Sequence, residues 1–211
     1  VAAIFGGHIV TNVRFSPVQR IDGLVAIGAR PNVMTIGALE PLDNSARMLA
    51  KQVVSEANRD LLIPCRPIGL DIRDDVCAEA FLVQVGRLLY RRPLKNTELE
   101  NLVDIAGMSI GEAGDFYYGL SVALTYMLMS PKFLYIPEIV EVDPLQLGNW
   151  RLDGYSKASR LSFFLWDAAP DRALLDAAER GDLHTTEGLN RQVERLLASP
   201  RLEQGVRAFF D

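Results

Sequence analysis

The sequence predicts a mainly α protein, a multi-helix bundle arranged in two packed helical units. Three observations support this class. Apolar residues recur at helical spacing over almost all of the chain after residue 42. Prolines and glycines fall at the breaks between these stretches, where helices end. The hydrophobic fraction of 49% and the charged fraction of 23% are those of a globular chain that can bury a core.

Residues 1–42 are predicted to be an irregular N-terminal segment with room for a short hairpin. Short apolar runs such as Ile9–Val10 and Val33–Ile36 are separated by repeated glycines and prolines. This pattern favours loops and short strands over a helix.

The first helical unit is predicted over residues 43–136. Asp43 and Ser45 are N-cap candidates for its first helix, and Thr97 with Glu100 matches a capping box for its third. The second helix has apolar residues at i, i+4, i+8 and i+11, which places them on one face. The predicted limits are about 43–62, 74–90, 97 onward, and 116–129 for the most apolar helix.

Residues 137–154 are predicted to be an ordered connector, because prolines and glycines punctuate them. The second helical unit then spans residues 155–211. Ser199 suits an N-cap and Gly181 suits the position just after a helix. The predicted helices are about 155–166, 170–180, 186–198 and 200–211.

Charge and hydropathy exclude two classes of partner. A net charge of −5 argues against nucleic acid, which requires a clustered basic face. No apolar stretch reaches the roughly 18 to 20 residues of a membrane span, so none is predicted. Val1 is not an initiator Met, and the apolar face of the last helix is cut off at Asp211. The sequence is therefore expected to be a fragment.

The two cysteines and two histidines give no metal site. Cys65 and Cys77 are twelve positions apart, a spacing unlike zinc, redox or haem-attachment motifs. From the residues alone, a disulfide and two buried thiols both stay open. His8 and His184 stand outside any ligand spacing.

Residues 154–158 resemble the nucleophile elbow of α/β-hydrolases, with Ser156 at its centre. Asp171 and His184 follow in the chain order of those enzymes. However, the chain lacks strand–helix alternation, and residues 149–153 make a poor buried strand. Ser156 is better explained as a first-turn residue of a helix. Ser156, Asp171 and His184 are thus weak catalytic candidates, and no cofactor-binding residues are assigned.

Several strings of residues resemble two domain families that occur together. Residues 81–94 with Glu98, and residues 129–135 with Glu138, resemble DUF1595. Residues 159–166, Pro170–Asp171, residues 181–183 and residues 197–201 resemble the start of DUF1592. The resemblance covers about residues 75–211.

This resemblance implies a piece of a large exported bacterial protein, of a type abundant in planctomycetes and also found in proteobacteria. It places the chain in the periplasm or outside the cell, and it favours the disulfide between Cys65 and Cys77. Some relatives carry a c-type cytochrome domain. This sequence has no C-x-x-C-H motif, so it is expected to hold no cofactor, and any haem belongs to a missing domain or a partner.

Three functional hypotheses follow, and whether the chain is an enzyme stays open. The first is a docking or assembly module that binds the rest of its own polypeptide or a protein partner. The second is part of an oxidoreductase or hydrolase acting on an extracellular substrate, which predicts a deep pocket with several polar groups and perturbed pKa values between the two helical units. A bound cofactor, or a pocket where His8 or His184 meets a carboxylate and an arginine, would contradict the first hypothesis. The third is a subunit of a membrane-associated electron-transfer complex, with a wide exposed apolar face.

Overall fold

The computed structural model describes residues 2–7, 9–10, 20–21, 24–25 and 36–210. It is mainly helical, with 66% helix and 3% strand, and its helices pack together. The predicted fold class is confirmed. None of the described helices is both long and apolar enough to cross a membrane.

The N-terminal segment holds the short hairpin that its sequence pattern allows. Strand β1 (Arg20–Ile21) pairs antiparallel with β2 (Leu24–Val25). A short helix, α1 (Ala2–Phe5), precedes it, and Phe5 and Ile9 are buried in the first core. His8 lies outside the described residues.

The first unit is organised around its most apolar helix, which packs against the helices on both sides of it. The elements are α2 (Ile36–Val54), α3 (Arg59–Leu62), α4 (Asp75–Leu89), α5 (Asn96–Ala113), α6 (Phe116–Met129) and α7 (Pro131–Leu134). Helix α6 contacts α2, α4 and α5. Because α6 is apolar around most of its circumference, burial on several sides is what its sequence requires.

Helix α2 begins at Ile36, seven residues before the predicted start at Asp43, and contains Pro41. Pro41 removes one backbone hydrogen bond but does not end the helix. The buried residues Leu49 and Val53 hold this helix against α6, and that packing outweighs the local cost. The helix also ends before the predicted limit at Leu62, because a turn separates it from α3.

The predicted capping box at Thr97 and Glu100 is wrong. The side chain of Glu98 instead accepts a hydrogen bond from the backbone N–H of Lys95, at 2.8 Å. Glu98 also accepts two hydrogen bonds from Arg92, at 2.8 and 2.9 Å, and one from Lys132, at 2.6 Å. These cations fix Glu98 at the start of α5. Hydrogen bonding from Arg92, which outweighs burial, holds the pKa of Glu98 well below its ordinary value.

Arg91 is a buried arginine that joins two segments of the first unit. It adopts a left-handed backbone conformation, with φ of 57°, and its side chain is buried. Its guanidinium donates to the carbonyl oxygens of Leu89, Lys132, Phe133 and Tyr135, at 3.1, 2.7, 3.4 and 2.6 Å. One buried cation therefore binds the turn after α4 to the chain that leaves α7.

A disulfide joins Cys65, in the loop after α3, to Cys77, in the first turn of α4. Their Cα atoms are 5.6 Å apart. This confirms the bond that the family resemblance favours. It closes the loop between α3 and α4, which is also held by a hydrogen bond from the backbone N–H of Phe116 to the carbonyl oxygen of Leu70, at 2.7 Å.

The connector contains a second hairpin that the sequence analysis did not predict. Strand β3 (Val140–Val142) pairs antiparallel with β4 (Trp150–Leu152). Val140 faces Leu152, Glu141 faces Arg151, and Val142 faces Trp150. Alternating Val-Glu-Val and Trp-Arg-Leu were the signal that could have revealed it.

The second unit has α8 (Gly154–Trp166), α9 (Arg172–Glu179), α10 (Thr186–Leu197) and α11 (Arg201–Phe210), with a 3₁₀ turn at Asp182–His184. These limits agree with the prediction to within two residues. Gly181 follows α9 with φ of 78°, as its position predicted. Ser199 accepts a hydrogen bond from the backbone N–H of Arg201, so it caps α11.

Candidate functional site

Ser156 and Asp171 both act at the starts of helices. The Ser156 hydroxyl accepts a hydrogen bond from the backbone N–H of Ile139, at 2.8 Å, and so binds the connector to α8. Asp171 caps α9 through the N–H of Leu174 and forms two hydrogen bonds with Arg195, at 2.7 and 3.0 Å. Burial raises the pKa of Asp171, but the hydrogen bonds from Arg195 and Leu174 outweigh it and lower the pKa.

His184 lies between a cation and a carboxylate. Its Nδ1 atom is 3.1 Å from Nζ of Lys157, and its Nε2 atom is 3.4 Å from Oε1 of Glu141. Burial, and then the positive charges of Lys157 and Arg151, lower the pKa of His184. Because Lys157 can only donate, Nδ1 is the acceptor and Nε2 carries the proton that points at Glu141.

Among the described residues, no hydrogen bond joins Ser156, Asp171 and His184 to one another. A catalytic triad requires the nucleophile, the base and the acid to be linked in sequence. Each of the three instead has separate partners. The structure therefore gives the hydrolase hypothesis no assembled triad.

Four residues fix the inner face of the β3–β4 hairpin, and we call them the His184 cluster: Glu141, Arg151, Lys157 and His184. Oε1 of Glu141 also accepts a hydrogen bond from Nε of Arg151, its cross-strand neighbour, at 2.7 Å. Lys157 donates in addition to the carbonyl oxygen of Leu183, at 3.3 Å. His184 thus meets a carboxylate that is bonded to an arginine, a set of groups that would contradict the docking hypothesis if it lined a pocket. In this arrangement their polar atoms are occupied by one another, and they hold the hairpin on the second unit.

The opposite face of this hairpin is apolar and exposed. Paired residues of antiparallel strands share a face, and successive residues alternate. Val142 and Trp150 therefore lie on the face away from Glu141 and Arg151, and Trp150 is 67% exposed. The turn adds Leu145 and Leu147, which are 83% and 95% exposed. We call the five exposed residues the hairpin patch: Val140, Val142, Leu145, Leu147 and Trp150.

A separate cavity of about 300 Å³ opens between the two units. Ile4 and Leu88 line it from the first unit, and Ala169, Pro170 and Ala173 line it from the second. Its charged residues are Asp171, Arg172 and Arg201. No residue of the His184 cluster lines this cavity.

A small ion-pair network also spans the junction of the two units. Arg87 of α4 bonds Asp176 at 2.7 Å and Glu179 at 2.8 Å, both in α9. Within the described part of the chain, no group of three or more His, Cys, Asp or Glu side chains is arranged to hold a metal ion.

Two family profiles match the chain. Residues 77–138 match the family described as a protein of unknown function, DUF1595, and residues 152–211 match the one described as a protein of unknown function, DUF1592. The chain thus contains one region that matches DUF1595, followed by a second that matches DUF1592. No curated protein and no solved structure matches it.

The two notable surfaces lie at the boundary between these domains. The hairpin patch occupies residues 140–150, after the DUF1595 region ends and before the DUF1592 region begins. The cavity takes Leu88 from DUF1595 and its charged residues from DUF1592. The enzyme hypothesis placed a pocket between the two units, but sequence patterns could not have identified the residues of this cavity, because residues distant in sequence line it.

Proposed function

We propose that this chain is a docking module, and that its hairpin patch binds an apolar surface on another protein domain. One observation carries the proposal: the hairpin points its apolar face outward and its charged face inward. Hairpins at the surface of a protein ordinarily do the reverse. An apolar patch that is kept exposed marks an interaction site.

The contacts on the inner face of the hairpin prevent it from turning over and burying the patch against its own chain. Glu141 and Arg151 are bonded to each other, and Glu141 also contacts His184. Turning the hairpin over would place its apolar face against His184, whose Nε2 atom would lose its acceptor, and a buried polar atom without a partner costs about 1–3 kcal/mol. The exposed apolar area can therefore be removed from water only by another surface, at a gain of about 25 cal/mol per Å².

The charges around the patch favour a protein surface over a lipid surface. Membrane-bound hairpins and helices use free Lys and Arg side chains to attract anionic headgroups. Here Arg151 pairs with Glu141 and Asp143, and Arg160 pairs with Glu138. No cation is left for headgroups beside the patch among these residues, and recognition must rest on apolar contact.

We also propose that the docking takes place outside the cytoplasm, in a larger exported protein with cytochrome-type partners. The Cys65–Cys77 disulfide supports an oxidising compartment, since such bonds persist in the periplasm and outside cells. Any haem would lie in another segment of the polypeptide or in a partner. A subunit of an electron-transfer complex is a special case of this proposal, because it too requires an exposed apolar face.

The test is site-specific photo-crosslinking in the native organism. A photoreactive amino acid replaces Leu147 in the patch or, as the control, Asn190 on the exposed side of α10. We expect a discrete adduct from position 147 and none from position 190. Haem staining of that adduct would assign the electron-transfer case, and an unstained adduct would assign a different protein domain.

A binding measurement with the purified, cross-linked partner completes the test. Trp150→Ser should weaken binding by about thirtyfold, because a buried Trp at an interface contributes about 2 kcal/mol or more. Met108→Ser removes an exposed apolar side chain from α5, outside the patch, and should leave the affinity unchanged. Failure to form an adduct at position 147, or equal affinities for both variants, would overturn the proposal.

A further inference from the structure

The cavity between the two units has an excess of positive charge. Asp171 is its acidic residue, and Arg195 already neutralises it through two hydrogen bonds. Arg172 and Arg201 also line the cavity, and none of the described residues gives either of them a carboxylate partner. Two cationic side chains therefore border the same small space, and the carboxylate that lines it, Asp171, attracts Arg201 but is already bonded to Arg195.

These two arginines differ from the others in residues 36–210. Each of the others pairs with a carboxylate, except Arg91, which is bonded to backbone carbonyls. The paired residues are Arg47, Arg59, Arg66, Arg73, Arg87, Arg92, Arg151, Arg160, Arg180, Arg191, Arg195 and Arg207. A chain that pairs its arginines almost everywhere leaves two unpaired at one cavity.

Arg172 and Arg201 both stand at the start of a helix. Each is the first residue of its helix, α9 or α11. Helix N-termini carry partial positive charge, which a bound anion would offset in addition to Asp171 at α9 and Glu203 at α11. The guanidinium of Arg201 also lies over the ring of Trp166, 5.1 Å from its centroid, which restricts its orientation.

We propose that this cavity binds a small organic anion, with its phosphate or carboxylate group between Arg172 and Arg201. Guanidinium groups present paired N–H donors that match such oxyanions. Ile4, Leu88 and Pro170 form the apolar wall that contacts the carbon skeleton of the ligand. A volume of about 300 Å³ fits a small molecule and not a polymer.

This site is independent of the hairpin patch, and neither proposal rests on the other. No residue of the patch lines the cavity. Ligand binding between the units would add contacts that bridge α4, α9 and α11, beside the existing Arg87 ion pairs.

The test is an NMR titration of the purified chain at constant ionic strength. The probes are phenyl phosphate, benzoate, inorganic phosphate and the neutral benzyl alcohol. We expect phenyl phosphate or benzoate to shift the amide signals of Arg172 and Ala173, with a smaller affinity for inorganic phosphate and no shift with benzyl alcohol. The organic anions should bind more tightly because they also contact the apolar wall.

Variants separate the site from general charge effects. Arg172→Gln and Arg201→Gln should each weaken binding by at least about tenfold, as expected for losing a hydrogen bond to a charged group. Arg172→Gln is the cleaner variant, because its side chain has no described partner that folding requires. Arg207→Gln makes the same charge change on α11, where Arg207 pairs with Glu203, and should leave binding unchanged.

Three results would overturn this proposal. The first is the absence of a shift with both organic anions, and the second is equal binding by wild type and Arg172→Gln. The third is equal affinity for inorganic phosphate and phenyl phosphate, which would show that the cavity does not recognise the carbon skeleton of an organic anion. Arg201→Lys keeps the positive charge but loses the paired N–H donors of the guanidinium, so this variant should bind the organic anions more weakly than wild type.

Discussion

The two helical units of this chain are held together in different ways. The first unit has a continuous apolar core in which large side chains are fully buried, among them Phe81, Phe116, Leu124 and Met127. The second has a smaller core around Trp166, with several small or polar residues buried beside it. The buried polar residues there are Ser156, Ser159, Ser162 and Gln192.

The second unit compensates for its small core with hydrogen bonds and close backbone contacts. Ser162 donates to the carbonyl oxygen of Ala168, at 2.8 Å, and the indole of Trp166 donates to that of Leu196, at 3.0 Å. Apolar burial tolerates small changes of geometry, whereas hydrogen bonds between helices do not. The second unit should therefore respond to local perturbation more sharply, and the first to loss of apolar volume.

The largest effect is expected from Phe81→Ala in the first core. Phe81 is fully buried, so the substitution should lower the free energy of unfolding by about 3–5 kcal/mol. Urea unfolding with the disulfide intact measures it. Val76→Ala on the same helix removes a side chain that is 80% exposed and should change stability by less than about 0.5 kcal/mol. Similar losses in both variants would contradict an apolar-driven first unit.

A smaller, local effect is expected from Gly205→Ala in the second unit. A Cβ at residue 205 would collide with the backbone carbonyl of Leu165, where α11 crosses α8. We expect a cost of about 1–3 kcal/mol, because the backbones must move apart. Amide hydrogen exchange should rise in α11 and stay unchanged in α6. Gln204→Ala, at an exposed neighbouring position, is the control. Faster exchange in α6 as well would show that the second unit does not open independently of the first.

The smallest effect is a pH dependence that separates the units. The pKa of His184 is lowered by burial and then by Lys157 and Arg151, while Glu141 and Asp153 oppose this. The unfolded chain therefore takes up a proton near pH 6.5 that the folded chain resists. The resulting stability is fully present above pH 6.5 and is lost as the pH falls below it.

In the first unit the corresponding group is Glu98, whose lowered pKa keeps its contribution intact until the pH falls below about 4.5. As the pH falls from 7.5 to 5.5, amide protection factors, which correct for the slower intrinsic exchange at lower pH, should therefore fall in residues 139–152 before they fall in α5. The loss should not exceed about 1.5 kcal/mol, the range of one hydrogen bond. His184→Gln should abolish the difference between the two pH values. An unchanged pH dependence in that variant would show that a group other than His184 causes the effect.

Apolar periodicity predicted the elements that are buried on one face. The spacing of Cys77, Phe81, Val85 and Leu88 placed α4 to within one residue at each end, because those side chains face the core. The start of α2 was not predictable locally. Its extension through Pro41 depends on packing against α6, which a local pattern does not contain.

The two surfaces of interest were less accessible to sequence reasoning. The β3–β4 hairpin alternates apolar and polar residues, but its strands are only three residues long. Its apolar face is exposed and its charged face points inward, so the usual rule that apolar residues are buried does not predict its orientation. The cavity joins Leu88 to Arg201 through the packing of two domains. Of the three catalytic candidates, Asp171 does line that cavity. It was chosen, however, from the order of serine, acid and histidine along the chain, which says nothing about this location.

Arg91 also constrains the order in which the chain can fold while it is being synthesised. Its last acceptor, Tyr135, is 44 residues further along, so the turn after α4 stays incomplete until that residue has emerged. We expect the first unit to close then, before any residue of α8 is available. The hairpin is fixed only when His184 follows. The hairpin patch is thus fixed only after the first unit has closed, while α10 and α11 are still to follow.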